Sequence, residues 1–240
     1  MAKKQEHCNP RDPADEQKGD WWDHKAYDPK NRLVVCVVPG ARNSENTEEV
    51  VEDFKRRTEG RPMNLITSDE HRPYKEAILR AYGVEATTTP SGLPVRAPHK
   101  EPPPDLCYAT VHKKRRLGQV VEVFVRLIFG TAALLAKALS ASAVSKAVNV
   151  SFLERQHLTD RHRNARKRRK TYCFSKRWEA HEAATYFTLY SYNFCWPVRT
   201  LRVRSPGQPW QKRTPAMAAG LTDHVWSLAE WLKFPAVKFE

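Results

Sequence analysis

Two carboxylates in this sequence stand at element boundaries, where side chains are free to do chemistry. Asp69 directly follows the apolar run Met63 to Thr67, and Glu154 opens a strongly basic tract after Val148 to Phe152. Strand ends on one edge of a mixed sheet converge, so acids far apart in sequence can meet in space. Convergent carboxylates suit Mg²⁺. Hard cations take oxygen ligands, and two ions about 3.5–4 Å apart clamp the attacking and leaving oxygens of a phosphodiester. Structural readings stand beside this one: Asp69 is also placed to cap a helix beginning near Arg72, and Glu154 to pair on the surface with Arg155.

The tract behind Glu154 has the opposite charge balance. Arg155, Arg161, Arg163, Arg166, Lys167, Arg168, Arg169 and Lys170 are opposed there by Asp160 alone. Drawn as one helix from Glu154 to Lys170, it carries basic residues on nearly every side, which fits phosphate neutralisation better than a half-buried amphipathic helix. A solvated basic face is the alternative. A second basic run, Lys113, Lys114, Arg115 and Arg116, falls between two apolar stretches. His157 and His162 read as surface residues within reach of DNA phosphates, with no spacing that suggests zinc. Tyr186, Tyr190, Tyr192 and Trp196 could stack on bases, but aromatics at helical spacing are more often core.

The whole chain has 240 residues with 41 Lys+Arg and 27 Asp+Glu, a formal net charge of +14. The excess lies entirely in the half after Asp105. Such asymmetry excludes an acidic solvating tail and predicts a polyanionic partner, nucleic acid before anionic membrane. The most apolar stretch, Leu127 to Leu139, is interrupted by Gly130 and Lys137 and is shorter than the roughly 18–20 residues of a membrane span. The N-terminus has basic residues but no apolar run after them, so a cytoplasmic protein is expected. Five scattered cysteines without a CxxC pair argue against a disulfide framework or a zinc ribbon.

The elements that would position these residues read as follows. Trp21 to Tyr27 and Leu33 to Val38 predict a hairpin, and Thr47 caps a helix bearing Val50, Val51 and Phe54. A short strand from Met63 to Thr67 leads to a helix over 72–82 closed by Gly83. Six prolines between 86 and 105 predict an irregular arm. Leu106 to His112 and Gln119 to Phe129 form strands around the basic turn, followed by a helix over 131–147 and a strand over 148–152. A helix over 175–194 presents Ala180, Ala183, Ala184, Phe187, Tyr190 and Phe194 as its core face. Arg199 to Val203 and Trp210 to Thr214 suggest another hairpin, and Asp223 to Leu232 a short helix with Trp226 and Trp231.

Four blocks in order carry a resemblance: "TSDEHRPYKEAILRAYG", "SFLERQHLTDRHRNARKRRKTYCFSKRWEAHEA", "YSYNFCWPVRTLRV" and "RTPAMAAGLTDHVWSL". The chain from about Gly19 onward resembles the transposases of small bacterial insertion sequences of the Asp-Asp-Glu class. The resemblance implies an α/β fold, a ribonuclease H-like mixed sheet flanked by helices, with an inserted β-hairpin and helix region. It implies an organisation of a polar segment 1–18, core 19–85, insertion 86–147 and core with basic helix 148–240. Asp69 then corresponds to the second catalytic acid and Glu154 to the third, holding a two-ion Mg²⁺ site. Implied partners are double-stranded DNA, at element ends and target, and a second copy of the chain in a homo-oligomer; a location at the bacterial nucleoid follows.

The sequence departs from the family's pattern at one important place. The first catalytic Asp belongs to an Asp-Glu-x-Trp-Ser-Phe strand lying just before a segment like Ala2-Lys3-Lys4, and that strand is missing here. The expectation is therefore a core lacking its first, central strand, in a truncated copy inactive in strand transfer. The alternative is a non-catalytic nucleic-acid-binding remnant, with a metal-dependent nuclease ranking third.

Overall fold

Asp28 closes the first turn of the structure. Its carboxylate accepts hydrogen bonds from the backbone N–H groups of Lys30 and Asn31 and from the Asn31 amide, folding Trp21–Asp28 (β1) back onto Leu33–Ala41 (β2). The computed structural model describes residues 7–9, 11–15, 20–88, 94–168 and 171–234. Its architecture is mixed α/β, with small sheets and helices and no barrel. The chain divides into two units, Met1–Pro39 with Arg155–Glu240, and Gly40–Glu154.

In the first unit, Val34 and Val37 of β2 meet Leu189 and Tyr192 of a long helix, α5 (Trp178–Cys195). Asn193 lies beside them. Its side chain accepts from Val34 N (3.1 Å) and donates to Val34 O (2.8 Å), so a buried strand residue is satisfied by an amide rather than by another strand. This contact rotates α5 away from the face expected from its apolar residues. Thr185, Leu189, Tyr192 and Asn193 are buried, whereas Phe187 is 42% exposed and packs edge-on against Trp231.

The basic helix α4 (Ser151–Arg163) is shorter than expected and is half-buried after all. Gln156, Asp160 and Asn164 fall one turn apart and are all buried, an inward stripe that is polar instead of apolar. Lys25 of β1 donates to Asp160 at 2.8 Å, with both side chains at most 2% exposed. Lys167 reaches Asp23 at 2.7 Å and Asp160 at 3.2 Å. Asn164 ends the helix by accepting from Arg166 N, and a 3₁₀ turn over Ala165–Lys167 follows. The Arg199 to Thr214 hairpin is reduced to one bridge, Val203 with Gln211, because Arg199–Leu201 turns into a 3₁₀ helix. The short helices α6 (Pro215–Ala218) and α7 (Leu228–Lys233) complete this unit. The start of α7 is set by a capping box between Ser227 and Glu230, later than the expected Asp223.

In the second unit, Asn43 rather than Thr47 caps α1 (Ser44–Arg57). Thr47 is inside the helix, its buried hydroxyl donating to Asn43 O at 2.7 Å. α1 packs on α2 (Pro73–Tyr82), with Val50, Val51, Ala77, Ile78 and Ala81 buried. α2 ends at Gly83, where a Cβ would lie 2.3 Å from Leu79 O, so no larger residue fits. Part of the proline-rich stretch is regular: β4 (Val84–Thr88) pairs antiparallel with β5 (Pro94–Glu101); Pro90 lies outside the described residues. A three-stranded sheet runs β3 (Ile66–Ser68), β6 (Tyr108–Arg116), β7 (Gln119–Phe129), parallel then antiparallel.

The β6–β7 turn is only Leu117 and Gly118, both at positive φ, so the basic run expected in the turn instead lies on β6. α3 (Ala132–Ala141) is capped by Thr131 and ends well before Ala147. No strand forms over 148–152. The Asn149 side chain accepts from Ser151 N and donates to Ala147 O, and these local bonds replace a ladder.

The Lys25, Asp160, Lys167 and Asp23 cluster should dominate the stability of the first unit. Asp160→Ala, which leaves two ammonium groups buried beside one carboxylate, is expected to cost about 3–5 kcal/mol in urea unfolding. A Lys25→Met/Asp160→Leu double variant should cost less than Asp160→Ala, because an apolar pair leaves no buried charge of its own unpaired.

Candidate nucleic-acid interface

The parallel register of β3 and β6 sets the geometry around the two candidate acids. Ser68 is opposite Thr110, and the Ser68 hydroxyl is 2.7 Å from the Tyr108 hydroxyl on the same face. Glu70, two residues on, meets His112 Nδ1 at 2.9 Å, again on that face. Asp69 lies just past the end of β3, and Lys113 in the middle of β6 donates to Glu154. Both carboxylates are more than half exposed.

Each carboxylate already has a cation. Arg42 lies 3.6 Å from Asp69 and Lys113 pairs with Glu154. Asp69 does not cap α2, whose N-terminus has no side-chain cap; it accepts weakly from His71 N at 3.3 Å instead. Among the described residues, no three His, Cys, Asp or Glu side chains are gathered as a metal-binding group.

The remaining basic residues of the hairpin are exposed. Lys114 pairs across the ladder with Glu122 at 3.0 Å, and Arg115 and Arg116 run to the Leu117–Gly118 tip, with Arg115 in contact with Gly118 O. Between Tyr108 and Phe129 the hairpin carries five Lys or Arg against the single acid Glu122. Two twisted strands of this size are also the shape that a duplex groove admits.

In the first unit the basic tract separates into an inner and an outer set. Arg155, Arg166 and Arg168 are exposed, and Arg161 is half-buried. Lys167 is turned inward onto Asp23 and Asp160. Arg163 is covered by aromatic rings, its guanidinium 3.9 Å from the Trp196 centroid and 5.1 Å from that of Tyr192. Arg169 and Lys170 lie outside the described residues. Of the aromatic strip, Tyr192 is core, Tyr186 and Tyr190 stack on each other at 6.1 Å, and Trp196 is half-exposed.

Charge state follows burial here. Burial opposes ionisation of Asp23, but the neighbouring His181 and the ammonium groups of Lys167 and Lys25 outweigh it and hold the carboxyl below its usual range. Burial lowers the Lys25 pKa against the pull of Asp160 and Asp23. His157 is half-buried rather than a surface residue. Burial, reinforced by the Lys25 charge, brings its pKa down to about 4. It is neutral at pH 7 and adds no positive charge there.

Sequence reasoning missed Asp23 and Lys25. They share the strand parity of Trp21 and Tyr27 along β1, but His24 between them is as buried as Lys25, so alternation alone did not mark them as inward. No protein-family model, no characterised protein and no solved structure matches the chain.

The His157 shift has a definite sign. Its folded pKa of about 4 lies below the ordinary value of 6.5, so the unfolded chain binds more protons between these limits. The contribution is fully present above pH 6.5 and is lost as pH falls toward 4, by roughly 3 kcal/mol in all. Urea midpoints measured from pH 7 to 4 should fall less steeply for His157→Gln than for the unaltered chain.

Proposed function

We propose that this chain is a duplex-DNA-binding protein of the Asp-Asp-Glu transposase kind, built on a ribonuclease H-like core. The observation that carries this reading is that β6, beside which Asp69 ends the parallel strand β3 and to whose Lys113 Glu154 is paired, continues into an exposed basic hairpin. The parallel β3–β6 pair supports the fold part of the reading, whereas β1–β2 forms a two-stranded sheet of its own instead of extending one mixed sheet.

Asp69 and Glu154 are oxygen donors of the kind Mg²⁺ takes, they are exposed, and each now holds a cationic side chain. They would hold the ion, which would supply activation of water or a 3′-hydroxyl toward a phosphodiester. Lys113 and Arg42 would then turn to the phosphate oxygens, and the hairpin would fix the register of the duplex. The cations that already occupy both acids, Arg42 and Lys113, favour a second reading, binding without cleavage.

Fluorescence anisotropy on duplexes of unrelated sequence tests the proposal. Arg115→Ala/Arg116→Ala should weaken binding similarly for every sequence and reduce the magnitude of the slope of log K against log[salt] by about 1.8. Arg155→Ala/Arg166→Ala/Arg168→Ala should do the same by up to about 2.7. Undiminished affinity in both variants would overturn the DNA-binding assignment. Nicking of supercoiled DNA with Mn²⁺ that disappears in Asp69→Asn and in Glu154→Gln, with affinity retained, would establish the carboxylates as catalytic and reject the binding-only reading.

A further inference from the structure

We propose that the outer edge of β7 is a self-association surface on which a second copy of this chain adds its own β7, antiparallel, about a two-fold axis at Phe124. β7 is the terminal strand of its sheet, and its outer edge has no strand partner among the described residues. Native edges of this length are commonly blunted by proline or lysine, and β7 has neither. Its side chains are also unusually bare for their type: Val121 and Val123 are each 58% exposed and Val125 is 43% exposed.

Charge and register identify the partner as a second copy. Pairing with β6 is unbroken from Glu122 to Leu127, with irregularities on either side. When two such segments pair antiparallel about Phe124, Val123 faces Val125 of the other copy and Glu122 faces Arg126 of the other copy. By symmetry both contacts occur twice. No other antiparallel register sets Glu122 against Arg126. Within each chain Phe124 already stacks on His112 at 5.0 Å, and Arg126 lies over its ring. The central residue is thus held in place before association, which lowers the entropy cost of pairing. The result is a continuous sheet of six strands, with four valines that are solvent-exposed in the single chain brought into cross-strand contact. This inference concerns the apolar edge and stands whether or not the hairpin binds DNA.

Sedimentation velocity on the full chain, over about 1–100 μM and in about 0.3 M salt to screen the +14 charge of each copy, should show a monomer–dimer equilibrium. Glu122→Arg and Arg126→Glu each turn two attractive pairs into repulsive ones and should weaken the dimer about tenfold or more. The double swap Glu122→Arg/Arg126→Glu should restore it. Phe124→Cys should give a disulfide-linked dimer under mild oxidation, since directly opposed residues have Cα atoms about 4.5–5.5 Å apart, within disulfide range. Val120→Cys should not. The cross-link reads the same contact without a charge change and decides the matter if a charge variant loses its fold. A chain monomeric throughout the range, a dimer indifferent to both single swaps, or open-ended assembly instead of dimers would overturn the proposal.

Discussion

The ion cluster of Asp23, Lys25, Asp160 and Lys167 is the constraint from which the first unit takes its form. Each of these ions alone would cost several kcal/mol to remove from water, so none is tolerable inside without the others. Two acids and two ammonium groups sum to zero charge, and all four side chains are at most 15% exposed. The cluster joins β1, α4 and the 3₁₀ turn after it. It thereby fixes which side of α4 faces in, with Gln156 and Asn164 above and below Asp160 on the same stripe. An apolar stripe would hold the helix against almost any oily surface; this one accepts only a partner with matching charges. The outward set of arginines is a consequence of that rotation.

The same cluster explains why the inward face of α4 was illegible in the sequence. Gln, Asp and Asn at one-turn spacing look like solvent-facing residues, and their burial is decided by Lys25, more than a hundred positions away. Asn193 hides the α5 core face for a similar reason, since its hydrogen bonds to Val34 outweigh the apolar count on the other side. By contrast, β7 was readable to its terminal residues, because a β-branched run is bounded by Gly118 and Gly130. α2 was readable because Pro73 starts it and Gly83 stops it. Around the candidate site, the placement of Asp69 just beyond a strand followed from local pattern, whereas the basic run expected in a turn is extended on β6. The cationic partners of the two acids did not follow from that pattern, because Arg42 and Lys113 reach them through tertiary packing.

Positive charge is distributed in this molecule with some discrimination. Lys167 is neutralised internally, Arg163 is cushioned by Trp196 and Tyr192, and Lys113 is matched to Glu154. Arg115, Arg116, Arg155, Arg166 and Arg168 stay exposed, as do Arg61, Arg177, Arg202 and other basic residues among those described.

Asn193 has one more effect. A strand residue offers its N–H and C=O on the same side, and at Val34 both point away from β1 and are already engaged by the Asn193 amide. The amide imitates one residue of a neighbouring strand. The β1–β2 sheet is therefore polar in its capacity to grow: at Val34 the β2 side is sealed by a side chain that any incoming backbone would have to displace. Extension of the sheet is directed to β1.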